Sequence, residues 1–106
     1  MMAETVEQFF TTLPNKLSAQ KTAGMNAIYQ FVITGDQGGN WYVEIKDGQP
    51  GVVRGDAEMP DITITAPSNV WLQVVNGEMS GQSAFLTGQV KLQGDITLAL
   101  KLQSLL

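Results

Sequence analysis

The chain of 106 residues contains no cysteine and no histidine. Without cysteine there is no disulfide framework, no thiolate nucleophile and no thiolate metal site. Without histidine, the side chain that most often serves as general base or metal ligand near neutral pH is missing. Positive charge is sparse as well. The six basic residues, Lys16, Lys21, Lys46, Arg54, Lys91 and Lys101, are scattered along a chain of net charge −4. Neutralising phosphates needs a clustered basic face, so nucleic acid is not an expected partner. No apolar run approaches the ~18 residues of a membrane span. Glu4 and Glu7 stand where a signal peptide would be basic and then apolar. The final Gln-Ser-Leu-Leu lacks the basic residue of a Ser-Lys-Leu peroxisomal address. The expected location is the cytoplasm, and the expected organisation is one domain, residues 1–106.

An apolar fraction of 43% is that of a globular protein, and it falls into short periodic segments. Val6, Phe9, Phe10 and Leu13 lie at i, i+3, i+4 and i+7, one face of an amphipathic helix. Thr5 and Gln8 resemble a capping box, and Pro14 is expected to end the pattern. That face either docks on a core or presents Phe9 and Phe10 to a ligand or, transiently, to a membrane. Residues 18–24 add a helical turn, with Ser18 as N-cap and Gly24 as the stop.

Strands follow. Residues 27–34 are β-branched and aromatic, with both faces largely apolar, as suits an interior strand. In residues 41–46, Trp41, Val43 and Ile45 alternate with Tyr42, Glu44 and Lys46, which reads as a half-buried strand. Asp47-Gly48 is a hairpin signal, and the return strand, residues 51–54, follows Pro50, a residue suited to a sheet edge. Residues 61–65 form a short strand with the isoleucines inward. Pro67 is expected to open a helix whose face is Val70, Trp71, Val74 and Val75. Ser80 caps a shorter helix bearing Ala84, Phe85 and Leu86, and residues 89–93 form a last strand with Val90 and Leu92 inward.

The final run, residues 95–106, is ambiguous by pattern. Ile96, Leu98, Leu100 and Leu102 alternate like a strand. Leucine and alanine favour a helix, Asp95 is a ready N-cap, and the polar residues Thr97, Lys101 and Ser104 have helical spacing. A helix is expected, and with so narrow a polar stripe it should be buried nearly all round. The order of elements suggests an α+β fold, a layer of strands with one sheet face covered by helices.

A search for catalytic groups is unrewarding. Asp36, Asp47, Asp56 and Asp61 sit in turn contexts. No calcium loop or nucleophile elbow occurs, and Gly35-x-x-Gly38-Gly39 leads into a strand instead of the helix N-terminus a phosphate cradle needs. No enzyme activity, metal or cofactor is expected. What remains is surplus apolar surface on short helices, which reads either as a plain packed core or as the lining of a cavity.

The segments Tyr29-Gln30-Phe31 leading to Gly35, Gly39-x-Trp41, Lys46-Asp47-Gly48 and Pro60-Asp61-Ile62-Thr63-Ile64 form an ordered series. It continues through Trp71-Leu72, Asn76-Gly77, Ala84-Phe85-Leu86-Thr87-Gly88-Gln89-Val90-Lys91-Leu92-Gln93-Gly94-Asp95 and Leu98-Ala99-Leu100-Lys101-Leu102. This series resembles the sterol carrier protein family in its type 2, non-specific lipid-transfer form, nearly end to end. The resemblance implies a five-stranded, mostly antiparallel sheet with helices on one face, an apolar tunnel between sheet and helices, and a lipid partner: a fatty acid, fatty acyl-CoA, sterol or isoprenoid. An acyl lipid or isoprenoid is favoured over a sterol. Carried over, the tunnel walls would include Trp71, Val74, Val75, Met79, Phe85, Leu86, Leu92, Ile96 and Leu100, with Phe31 and Ile33 from the sheet. The alternative is an accessory or interaction domain for a lipid-metabolising enzyme, with no transfer activity of its own. Oligomeric state is not legible.

Overall fold

Helix α1 (Val6–Lys16) begins where Thr5 folds its hydroxyl back to accept from the Gln8 N–H, at 3.0 Å. The structure, a computed structural model, describes residues 5–17 and 19–105, so an N-cap at Ser18 lies outside the described residues. Gln37, from the turn between the first two strands, accepts the Val6 N–H at 2.9 Å and ties the helix start to the sheet. The helix does not stop at Pro14. It continues to Lys16, because Pro14 forfeits only its own N–H bond and the Leu17 N–H still closes on the Leu13 carbonyl at 3.1 Å. The short α2 (Ala19–Thr22) follows.

Five strands form one sheet: β1 (Ala27–Thr34), β2 (Gly39–Lys46), β3 (Gln49–Arg54), β4 (Ile62–Pro67) and β5 (Lys91–Gly94). Their spatial order is β3-β2-β1-β4-β5, with β1 central and the β1–β4 pair parallel, the other three pairs antiparallel. The β2–β3 hairpin turns at Asp47 and Gly48 with φ of 51° and 80°, the pair of left-handed residues that a type I′ turn requires. A side chain at Gly48 would also meet the Thr22 carbonyl at 3.1 Å. Pro50 lies within the edge strand β3, where its missing N–H disturbs no ladder on the outer side.

Register brings Tyr29, Phe31 and Ile33, Trp41, Val43 and Ile45, and Ile62, Ile64 and Ala66 to one face, where they are buried. The helices cover this face: α1, α2, then α3 (Ser68–Val75), α4 (Gly81–Leu86) and α5 (Ile96–Leu105). Pro67 is the extended N-cap of α3 and stands before its first turn. On the opposite face Gln30 is buried under residues 55–57. Its amide donates to the Trp41 and Gly55 carbonyls, both at 3.1 Å, and accepts the Ala57 N–H at 2.7 Å. A polar side chain is thus fully satisfied at the sheet centre.

Phe9 and Phe10 point inward, 2% and 0% exposed, which overturns any contact of theirs with a membrane. Phe10 stacks on Trp41 (5.1 Å, 11°) and meets Phe31 edge-on, while Phe9 meets Trp71 edge-on (5.7 Å, 84°). Aromatic pairs in these geometries are worth about 0.5–1.5 kcal/mol beyond their burial, so the helix face that could have been a lipid anchor is the seam of the core.

The last helix is held differently. The Asp95 N–H donates to the Asp61 carbonyl at 2.9 Å, and the Asp95 carboxylate caps the Thr97 N–H (3.0 Å) and hydroxyl. The buried Tyr29 hydroxyl donates to the Leu98 carbonyl at 3.0 Å, linking the central strand to α5. Burial first, then the charges of Asp95 and Asp61, push the phenol up to about 12 from its usual 10. The folded value lies above the unfolded one, so this contribution is complete below about pH 10 and is lost as pH rises toward 12. Tyr29→Phe should cost about 1 kcal/mol at pH 7. In urea denaturation the wild type should lose on the order of 2 kcal/mol more than this variant between pH 9 and 11.5.

Candidate functional site

Between the sheet and the last three helices lies a cavity of about 370 Å³, within the range of small-molecule sites. Its floor is Ile64 of β4 and Leu92 of β5, which face each other across the strand pair, with Val90 just before β5. Trp71 and Val74 of α3 form one wall. Gly81, Gln82, Phe85 and Leu86 of α4 form a second, and Ile96, Ala99, Leu100, Leu102 and Gln103 of α5 a third. The opening is marked by exposed apolar side chains: Phe85 (44%), Leu86 (74%), Ile96 (42%) and Leu100 (64%).

Local sequence explains the shape. Ser80 caps α4 by accepting the Ser83 N–H at 3.3 Å, and the Ala84 carbonyl receives the Gln89 and Val90 N–H groups at 2.9 and 3.0 Å. Ala84 is therefore clamped and fully buried, while Phe85 and Leu86, one and two residues on, face outward over the opening. Helix α5 has two apolar faces. Leu98, Leu102 and Leu105, at i, i+4 and i+7, turn to the core, and Ile96, Ala99, Leu100 and Gln103, at i, i+3, i+4 and i+7, turn to the cavity, with Leu102 and Ala99 at the border of the two faces. Burial nearly all round is thus overturned: only Leu102 and Leu105 are buried in this helix. The oily second face borders a cavity instead of packed neighbours.

Of the expected wall residues, Trp71, Val74, Phe85, Leu86, Leu92, Ile96 and Leu100 come together around this space. Four do not. Phe31 and Ile33 are sealed in the core, Phe31 between Phe10 and Trp71. Val75 turns toward a second, separate cleft with Phe9, Lys16, Lys21 and Leu105. Met79 packs, half-buried, against the core. Sequence reasoning missed Ile64, Val90, Ala99, Leu102 and the polar pair Gln82 and Gln103. Helical spacing from Phe85, Leu86, Ile96 and Leu100 would have found Gln82, Ala99 and Gln103.

The polar content of the cavity is small. Gln103 reaches across from α5 so closely that its amide nitrogen would lie 3.2 Å from a side chain at Gly81. The Trp71 indole N–H is buried with no hydrogen-bond partner among the described residues, an unmet donor that ordinarily costs about 1–3 kcal/mol. Among the described residues no three acidic, histidine or cysteine side chains gather to hold a metal, and no helix is long and apolar enough to cross a membrane.

An apolar cavity behind short helices, lined by uncharged polar groups only, suits a hydrophobic ligand. The model of the SCP-2 sterol transfer family matches residues 6–106, and the chain belongs to that family. It is 30% identical over 102 residues to hydroxysteroid dehydrogenase-like protein 2 of Xenopus tropicalis, covering 95% of this chain and 24% of the relative. The chain thus spans about a quarter of the length of the curated relatives it matches first. Among solved structures, palmitated SCP2L2 from Aedes aegypti superposes with a TM-score of 0.71 at 25% identity, covering 96% of this chain and 91% of that one. The sec-alkylsulfatase Pisa1 from Pseudomonas sp. shares the fold at a TM-score of 0.79 and 22% identity, over 95% of this chain and 16% of its own. The family is one of lipid-binding and lipid-transfer domains.

If the space is a cavity and not packed core, filling it should be harmless to stability. Ala99→Phe should change stability by less than ~1 kcal/mol in urea denaturation. Ala84→Phe, in the closed core, should cost ~1–3 kcal/mol or more by overpacking.

Proposed function

We propose that residues 1–106 act as one lipid-binding unit that carries a hydrophobic lipid in the cavity between β4, β5 and helices α3, α4 and α5. The observation that carries this reading is the continuous apolar lining, which extends outward into the exposed Phe85, Leu86, Ile96 and Leu100. Wet apolar surface of this kind gains by covering. A sixteen-carbon chain leaving water gains ~0.8 kcal/mol per methylene, roughly 12 kcal/mol gross, against several kcal/mol for its lost freedom. A sealed void of 370 Å³ would cost on the order of 9 kcal/mol, comparable to the whole stability of such a domain. Opening to solvent at one side removes part of that cost, and a lipid would remove the rest.

Palmitate in the Aedes relative supports an acyl chain as one cargo, and sterols, acyl-CoA and isoprenoids are the other classes the family resemblance brings in. Exchange with a membrane or a partner enzyme would use Leu86 and Leu100 at the opening, since Phe9 and Phe10 are buried. The match to about a quarter of a dehydrogenase-like protein favours a second reading, in which the unit serves beside a lipid-metabolising enzyme as its accessory domain.

Native mass spectrometry and solvent extraction of freshly purified protein test the carriage reading. A stoichiometric lipid is expected, or uptake of a fluorescent long-chain alcohol into emptied protein. Repeated absence of both would refute it.

A further inference from the structure

Beside the cavity, a second cleft of about 300 Å³ lies at the C-terminal ends of α3 and α5, lined by Phe9, Lys16, Lys21, Val75 and Leu105. Residues of the same helices divide between the two spaces. Val74 faces the cavity and Val75 the cleft; Leu102 faces the cavity and Leu105 the cleft. The Trp71 ring stands between them. It lines the cavity, and it meets Phe9, a lining residue of the cleft, edge-on with centroids 5.7 Å apart. Phe31 packs against it from the sheet at 5.3 Å. The indole N–H is buried and has no hydrogen-bond partner among the described residues, so aromatic packing alone holds the ring in place.

Exposure sets the direction in which a lipid chain would lie. Trp71, Ile64, Val90 and Leu102 are buried, whereas Leu86 and Leu100 are exposed at the opening with Gln82 and Gln103 beside them. A lipid gains most by placing its methyl end among the buried residues, and its head, charged or not, then stays in water at the opening. The chain therefore runs toward Trp71. Resting on the carriage reading above, we propose that Trp71, braced by Phe9, is the end wall of the cavity and its chain-length determinant, closing it off from the cleft beyond. Each methylene buried short of the ring adds affinity. Those past it stay in water or must displace the ring.

Dissociation constants for saturated fatty acids, from decanoate to eicosanoate, read the position of the wall in the wild type and in Trp71→Leu. In the wild type, affinity should rise roughly three- to fourfold per added methylene and then level off. In Trp71→Leu, whose smaller side chain opens the way toward Val75 and Leu105, the rise should continue over at least two more methylenes. The longest acids should then bind about tenfold more tightly than to the wild type. Leu92→Ala widens the floor instead and should leave the levelling point unmoved. A second measurement leaves the wall intact. Hexadecanoate brominated at its terminal carbon should quench wild-type tryptophan fluorescence more than hexadecanoate brominated beside its carboxylate. Trp41 does not line the cavity, so that difference reports on Trp71. A levelling point at the same length in wild type and Trp71→Leu overturns the proposal, as does an equal shift in Leu92→Ala or a wild-type rise that never levels. Equal or stronger quenching by the acid brominated beside its carboxylate overturns it too. If no member of the series binds, the carriage reading fails for acyl chains, and this inference with it.

Discussion

The hydroxyl of Tyr29 holds the last helix over the sheet, and the cavity depends on where that helix stands. Tyr29 lies on the central strand and reaches the Leu98 carbonyl at 3.0 Å. Asp95 is fixed by the backbone of Asp61 at 2.9 Å. The carbonyl of Asp61 passes so near Gly94 that a side chain there would meet it at 2.5 Å, a separation only glycine permits at φ of +118°. These contacts anchor the start of α5. Leu102 and Leu105 anchor its far end by burial. Between the anchors Ile96, Ala99 and Leu100 span space that neither β5 nor the brief α4 fills.

That geometry makes an apolar helix useful on two sides. A core-facing stripe gives α5 its stability, since so short a helix has little of its own. In the cavity-facing stripe Ala99 still packs against the core, while Ile96 and Leu100 are exposed in the empty cavity and available to a ligand. Gln82 and Gln103 are exposed at the opening and supply uncharged hydrogen-bonding groups there, and the chain keeps its six cations elsewhere.

Much of the fold was legible in the sequence because it rests on local rules. Alternation at Trp41, Val43 and Ile45, the Asp47-Gly48 turn, and the caps at Thr5, Ser80 and Asp95 all appear as read. The misreadings have physical causes. Pro14 was expected to end α1, yet the helix needs only one bond fewer to pass it. Phe31 and Ile33 carry the same apolar character as Ile64 and Leu92, and periodicity cannot say which strand lies under a gap; only the sheet order does. Val75 and Val74 are neighbours in sequence, but a helix turns about 100° between them, and that rotation places them in different clefts. The apolar tail was recognised, whereas its exposure was not, because pattern cannot distinguish a side chain facing a core from one facing a cavity.

Methyl-resolved NMR during addition of 1-hexadecanol tests the central claim, that the space bounded by β4, β5 and α5 receives the lipid. The account predicts saturable shifts at the methyls of Ile64, Val74, Val90, Leu92 and Leu100, with Val6 and Leu13 of α1 unmoved. Shifts confined to the α1 cluster, or scattered without saturation, would contradict it.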